Sequence, residues 1–162
     1  MHDAFQRPVF TSALYYRDPM AAIDWLELAF GFTRSLLITD RKGRFGHAEM
    51  RCGDGVLMVG GEWAAFTASP ASLDGKNTQS VHVLLAQDLD AHCARARAAG
   101  AAIVQEPEDQ FWGDRTYRAQ DPEDHVWTFC QVVRVVSRED AERDSGLHIE
   151  GEWSHTGHPP RR

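Results

Sequence analysis

The sequence predicts an α+β fold built from two β-α-β-β-β modules. Three observations carry that expectation. A unit of short apolar strand, Asp, helix and Gly occurs twice. Each copy is followed by three runs that read as strands separated by turn residues. An Ala-, Ser-, Gly- and Thr-rich stretch, residues 61–79, separates the copies and reads as a linker or a loop over a site.

The first module, residues 9–60, opens with "TSALYYRDPMAAIDWLELAFGF". Asp18 suits an N-cap, and Pro19 at the first helical position loses no hydrogen bond. Ala22, Trp25, Leu26 and Ala29 share one helical face and are expected in the core. Gly31 can leave the helix in a left-handed conformation. The strands "TRSLLITD", "RFGHAEMRC" and "GVLMVGG" follow, with turns at "DRKGR" and "CGDG". The second module, residues 80–136, opens with "VHVLLAQDLDAHCARARAAGA". Asp88 is its expected cap, Leu89, Cys93 and Ala96 its inward face, and Gly100 its stop. "AAIVQEP", "RTYRAQ" and "HVWTFCQVV" read as its strands, the last two joined by "DPED". Residues 1–8 form an N-terminal extension. Residues 137–162 are polar and aperiodic, and are expected to be mobile or to cover a partner surface.

Composition bounds the function. The chain has 162 residues, 43% hydrophobic and 25% charged, which suits a globular protein with a sizeable core. Apolar runs break well short of the ~20 residues a membrane helix needs, and "MHDAFQRPVF" lacks the apolar core of a secretion signal. Three widely spaced cysteines, Cys52, Cys93 and Cys130, argue against a disulfide framework and for the cytoplasm. A net charge of −7 disfavours nucleic acid and is compatible with a cationic small molecule.

The paired modules and the stretch "VHVLLAQDLDAHCARARAAGAAIVQEPEDQFWGDRTYRAQDPEDHVWTF" resemble the vicinal oxygen chelate superfamily, the glyoxalase, bleomycin-resistance and extradiol dioxygenase group. The resemblance spans roughly residues 9–133 and rests on the Asp-x-Asp, Ala-Gly-Ala, Glu-Pro, Gly-Asp-Arg and Asp-Pro-x-Gly-His-x-Trp pattern. Asp124 stands where that pattern has Gly, a change a left-handed turn tolerates in Asp. The resemblance implies that the modules pair into a half-open barrel-like sheet around a cleft. It also implies a homodimer, and in many members a divalent metal.

Carried over residue by residue, the family's metal positions fall on Thr11 and Val81 in the first strands and on Met58 and Thr128 in the last. None is a usual ligand, so no metal is the favoured expectation, with a divalent ion still possible. His47 and Glu49 lie two apart on one strand and face one side. They could act as a general base or a displaced metal site, or pair with each other. His82 and His125 are further candidates, His125 with local hydrogen bonding; His148, His155 and His158 could chelate only weakly. Tyr15, Phe45, Phe111, Trp112, Tyr117 and Trp127 are expected to line the cleft, although Trp25 and Trp127 also suit the core. Arg115 could grip a ligand carboxylate or pair with Asp114, Glu106 or Asp109. Three functions follow: a metal-free binder of a small aromatic or cationic molecule, a metal-dependent lyase, isomerase or dioxygenase, or an accessory protein-binding domain.

Overall fold

The computed structural model describes residues 8–153. It contains β1 (Ser12–Tyr16), α1 (Pro19–Phe30), β2 (Thr33–Thr39), β3 (Phe45–Cys52) and β4 (Gly55–Gly61). These are followed by β5 (Val81–Leu84), α2 (Leu89–Ala98), β6 (Ala102–Asp109), β7 (Asp114–Gln120) and β8 (Val126–Val132). A third helix, α3 (Arg138–Ser145), comes last. The strands form two four-stranded mixed sheets, ordered β1-β4-β3-β2 and β5-β8-β7-β6, which are not closed into a barrel. In each, the first and last strands pair in parallel and the remaining neighbours antiparallel. A parallel pair needs a long crossover, and the intervening helix and hairpin supply it.

Helix α1 starts and stops as its residues dictate. The Asp18 carboxylate accepts from the Ala21 amide at 3.0 Å, Pro19 occupies the first turn, and Gly31 leaves the helix at φ 71°. Trp25, expected in the core, is half-buried and donates its indole N–H to the Ala99 carbonyl at 2.8 Å. Asp88 differs from expectation. It sits at φ 61° and makes no capping bond through its side chain; the Leu89 amide donates instead to Gln131 at 2.9 Å. Asp124 adopts φ 66°, the left-handed conformation its turn requires.

Both modules feed one core. Leu14, Tyr16, Ile23, Leu26 and Phe30 from the first meet Leu89, Tyr117, Trp127 and Phe129 from the second. The Phe30 ring lies 5.2 Å from Trp127 and 4.7 Å from Phe129. Among the described residues, α1 packs on one face of the first sheet and α2 on one face of the second, and the opposite faces carry neither.

Residues 137–153 of the polar tail carry a helix that the sequence reading did not mark. Ser137 caps α3 by accepting from the Asp140 amide at 3.1 Å, and Gly146 ends it at φ 71°. Ala141 and Val136 are buried, and Trp153 donates to the Val136 carbonyl at 3.0 Å. Among the described residues no helix is long and apolar enough to cross a membrane. All three cysteines are free thiols.

Candidate functional site: a cup on the open face of the first sheet

Strand alternation decides which side chains reach the uncovered face of the first sheet. Leu14 and Tyr16, Ala48 and Met50, Leu57 and Val59 turn to the helix and are buried. Their alternates, Ala13 and Tyr15, His47 and Glu49, Met58 and Gly60, occupy the other face. There all of them but Glu49 border a cup of about 510 Å3, walled by Tyr15, Phe45 and Trp63 and floored by Met58 and Gly60. A Cβ on Gly60 would stand 3.1 Å from the Tyr15 ring, so glycine is what lets that ring lie across the strand.

The polar groups of this face are His47, Glu49 and Glu62. His47 Nε2 lies 3.6 Å from Glu49 Oε1, a contact longer than a hydrogen bond. Glu62 accepts the Ser69 amide at 2.7 Å, and hydrogen bonds from Ser72 and Ser69 hold its carboxyl below the usual range. That bond ties the linker back to the rim of the cup. The linker is not featureless: Pro70–Leu73 form a 3-10 turn, and exposed Trp63 and Phe66 meet edge to face at 5.3 Å.

The strand register relates the carried-over metal positions to their neighbours. Met58 pairs in register with Ala13, and Thr128 with His82. Thr11 precedes β1 and lies beside the linker, while Val81 packs against the core. The open-face set is thus Ala13, Met58, His82 and Thr128, with Arg118 beside Thr128. Alternation along "VHVL" was the signal that His82 and Val81 face opposite ways. One imidazole, one thioether, one hydroxyl and a methyl do not make a divalent-ion site. Among the described residues no three His, Cys, Asp or Glu side chains are grouped to hold a metal ion.

The predicted aromatic residues separate. Tyr15 and Phe45 line the cup. Tyr117 and Trp127 do not: both are fully buried in the shared core. Tyr117 stacks on Phe129 at 5.0 Å and donates its hydroxyl to His92 Nδ1 at 2.7 Å. Phe111 and Trp112 lie at the β6–β7 turn of the second module, edge to face at 5.0 Å, with Trp112 donating to Asp114. Arg115 also turns to the helix side. It bridges Asp90 on α2 through two bonds of 2.9 Å and Asp109 through one of 2.7 Å, so its guanidinium is engaged within the module.

His125 is buried and donates Nε2–H to the Tyr15 carbonyl at 2.9 Å, which fixes the free edge of β1 behind the cup. Gln79 takes the Ala13 carbonyl of the same edge at 2.9 Å. Asp121, in the same turn as His125, joins the modules. Its carboxylate accepts from Tyr16 at 2.7 Å, from Trp127 at 3.1 Å, and from the Glu123 and His125 amides at 3.0 Å each. Burial pushes the Asp121 carboxyl up, and burial beside it pushes the Tyr16 phenol well above its ordinary value. Trp63, Gly60, His92 and Asp121 were not singled out by sequence. His148, in the tail, contacts Glu142 at 3.0 Å; His155 and His158 lie outside the described residues.

Comparison with known proteins agrees with this architecture. Residues 9–129 match the family model described as Glyoxalase/Bleomycin resistance protein/Dioxygenase superfamily. An uncharacterized protein of Mycobacterium tuberculosis is 31% identical over 137 residues, covering 82% of this chain and 79% of that protein. The crystal structure of TioX from Micromonospora sp. ML1 is 35% identical, with a TM-score of 0.60, covering 76% of this chain and 98% of that one. A glyoxalase/bleomycin resistance protein/dioxygenase family enzyme from Burkholderia phytofirmans shares the fold at 17% identity and a TM-score of 0.57, covering 76% of this chain and 97% of that one. Matched over most of its length in sequence and in fold, the chain belongs to the glyoxalase/bleomycin resistance protein/dioxygenase superfamily.

Proposed function

We propose that the chain binds a small aromatic or cationic molecule in the cup, without a metal ion. The observation that carries this reading is the convergence of Tyr15, Phe45 and Trp63 on one concave face beside the carboxylates of Glu49 and Glu62. Ring faces attract cations and planar rings alike, and the net charge of −7 enriches cations near the surface. The open-face set Ala13, Met58, His82 and Thr128 supports the metal-free part. Proflavine, a planar cation, tests the reading by its own fluorescence. Phe45→Ala and Trp63→Ala are each expected to weaken its binding at least about tenfold, roughly the 1.4 kcal/mol of one ring contact. Unchanged affinity in both would overturn it.

A second reading has its own observation, the contact of Glu49 with His47 at the wall of the cup. An imidazole and a carboxylate side by side can serve as a general base or as two donors of a relocated metal site. Metal analysis by plasma mass spectrometry on untagged protein separates the two. Near-stoichiometric metal, lost in a His47→Ala/Glu49→Ala variant, would favour a lyase, isomerase or dioxygenase over the binder.

Two further parts of the proposal concern the setting. The helix-free faces of both sheets, with Leu84, Val104 and Val132 more than half exposed, support a homodimer. Light scattering at micromolar concentration is expected to return twice the chain mass. The three free thiols support a reducing, cytoplasmic setting.

A further inference from the structure

Alternation sorts the side chains of the second sheet as it does those of the first. Trp127 and Phe129 of β8 and Tyr117 and Ala119 of β7 enter the core, and Val81 and Val83 of β5 pack against it. His82, Thr128 and Arg118 therefore turn to the opposite face. The register sets them in one row: His82 pairs with Thr128, Thr128 with Arg118, and Arg118 with Gln105 of β6. An irregularity between Ile103 and Gln105 brings Gln105 to this face, where its amide donates to the Thr116 hydroxyl at 3.3 Å. The row thus holds an imidazole, a hydroxyl, a guanidinium and a carboxamide, and no acid. Arg118 and His82 are exposed. Among the described residues, the Arg118 guanidinium has no hydrogen-bonding or ion-pair partner. Nor has the Thr128 hydroxyl, although Thr128 is only 5% exposed. Arg115, on the other face of the same strand, is held by Asp90 and Asp109.

We propose that this row binds a small aromatic monocarboxylate. Adjacent strands stand ~4.8 Å apart, so a carboxylate over β7 and β8 reaches both Arg118 and Thr128. The guanidinium donates to it in bidentate fashion, and the Thr128 hydroxyl donates from below. His82 and the free N–H of Gln105 donate from the flanking strands. The next row sets the body. Leu84 pairs with Cys130 there, and Leu84 is 66% exposed. Two residues along a strand cover ~6.6 Å, a distance one ring spans while removing that apolar surface from water. The nearest acid sets the charge. Glu108 pairs with Thr116 in that same next row, at the sheet edge, and disfavours a second negative charge. The preference is opposite in sign to that of the cup, and neither site depends on the other.

Leu84 and Val132 of this face also support the homodimer, so a partner copy is the competing occupant, and the test reads mass as well as binding.

The probe is benzoate, titrated into the isotopically labelled full chain and followed by amide-resolved NMR. Saturable shifts centred on His82, Arg118 and Thr128 are expected, with the cup residues Tyr15 and Phe45 unmoved. Arg118→Gln, at an exposed position, is expected to weaken binding at least about tenfold, the scale of a charge-assisted bond. Thr128→Val keeps the shape and is expected to weaken it about fivefold, the scale of one neutral hydrogen bond. Benzamide, the same ring without the charge, is expected to bind at least about tenfold more weakly than benzoate. The proposal is overturned if benzoate moves no amide of the row at tens of millimolar, if its shifts centre on the cup, or if Arg118→Gln binds it as well as the parent. Arg118→Gln that leaves benzoate binding intact but lowers the mass seen by light scattering would assign the row to a contact between copies instead.

Discussion

At the scale of single residues, Asp121 carries more of the structure than any group the sequence marks as chemical. Four donors converge on its two oxygens, two of them the buried Tyr16 and Trp127 side chains from opposite modules. Removing the acceptor strands those donors away from water. Asp121→Ala is expected to cost about 3–5 kcal/mol, read as a lower urea midpoint at unchanged m-value. His92 gives a pH test. Its Nε2–H donates to the Phe30 carbonyl at 3.0 Å and its Nδ1 accepts from Tyr117, so the neutral ring fits its surroundings. Burial, and then the nearby Arg95 charge, lower its pKa against the opposing pull of the Phe30 carbonyl. The unfolded chain therefore binds more protons as pH falls below about 6.5, and stability is lost there. His92→Gln can make both bonds without titrating. Wild type is expected to lose stability relative to it between about pH 6.5 and 5, and parallel curves would exclude His92 as the cause. The sequence showed Asp121 only as part of a turn motif, because the converging donors come from 105 residues away and from the far side of its own turn. Tyr117 and Trp127 were legible: each alternates with Thr116, Arg118 or Thr128, and that period places them on the core face.

At the scale of elements, strands and the first two helices follow from period and punctuation, and what escaped was held by contacts between elements. Arg95 of α2 caps the last turn of α1, donating to the Leu28 and Glu27 carbonyls at 2.8 Å each. No local pattern in α1 announces a cap supplied from 67 residues on. Helix α3 escaped for the opposite reason. Its cap, Ser137 with Asp140, and its stop, Gly146, stand in the text, but Ala141 is its single buried residue, so there is no apolar period to read. The segment leading into the tail is held by Gly113 instead. That glycine sits at φ 104°, accepts from the Val133 and Arg134 amides at 3.0 Å, and leaves 2.3 Å between its would-be Cβ and the Arg134 carbonyl oxygen. Gly113→Ala therefore meets both strain and backbone. It is expected to cost at least about 2 kcal/mol and to raise proteolytic cleavage after residue 132, seen as a shortened product in mass spectrometry.

At the scale of the molecule, the repeat misleads as much as it informs. Two similar modules suggest two units that could stand alone, yet their helix faces form one core. Phe30 illustrates the dependence: it belongs to the first module, and its ring lies among Trp127, Phe129 and His92 of the second. Polar seams repeat the pattern, with Tyr16 bound to Asp121, Arg17 and Asp18 amides to Glu123, and Trp25 to Ala99. A fragment ending at residue 79 would expose Ile23, Leu26 and Phe30, each fully buried or nearly so in the whole chain. Each such side chain forfeits about 1.5–3 kcal/mol on exposure, and a domain's entire stability is only about 5–15 kcal/mol. Residues 1–79 expressed alone are therefore expected to show no cooperative melting and to bind hydrophobic dyes. Mixing with residues 80–162 is expected to restore a single transition, because the lost surface returns only when both halves meet. A fragment that melts cooperatively by itself would show that the cup is carried by an autonomous module and that the shared core is a joint between domains.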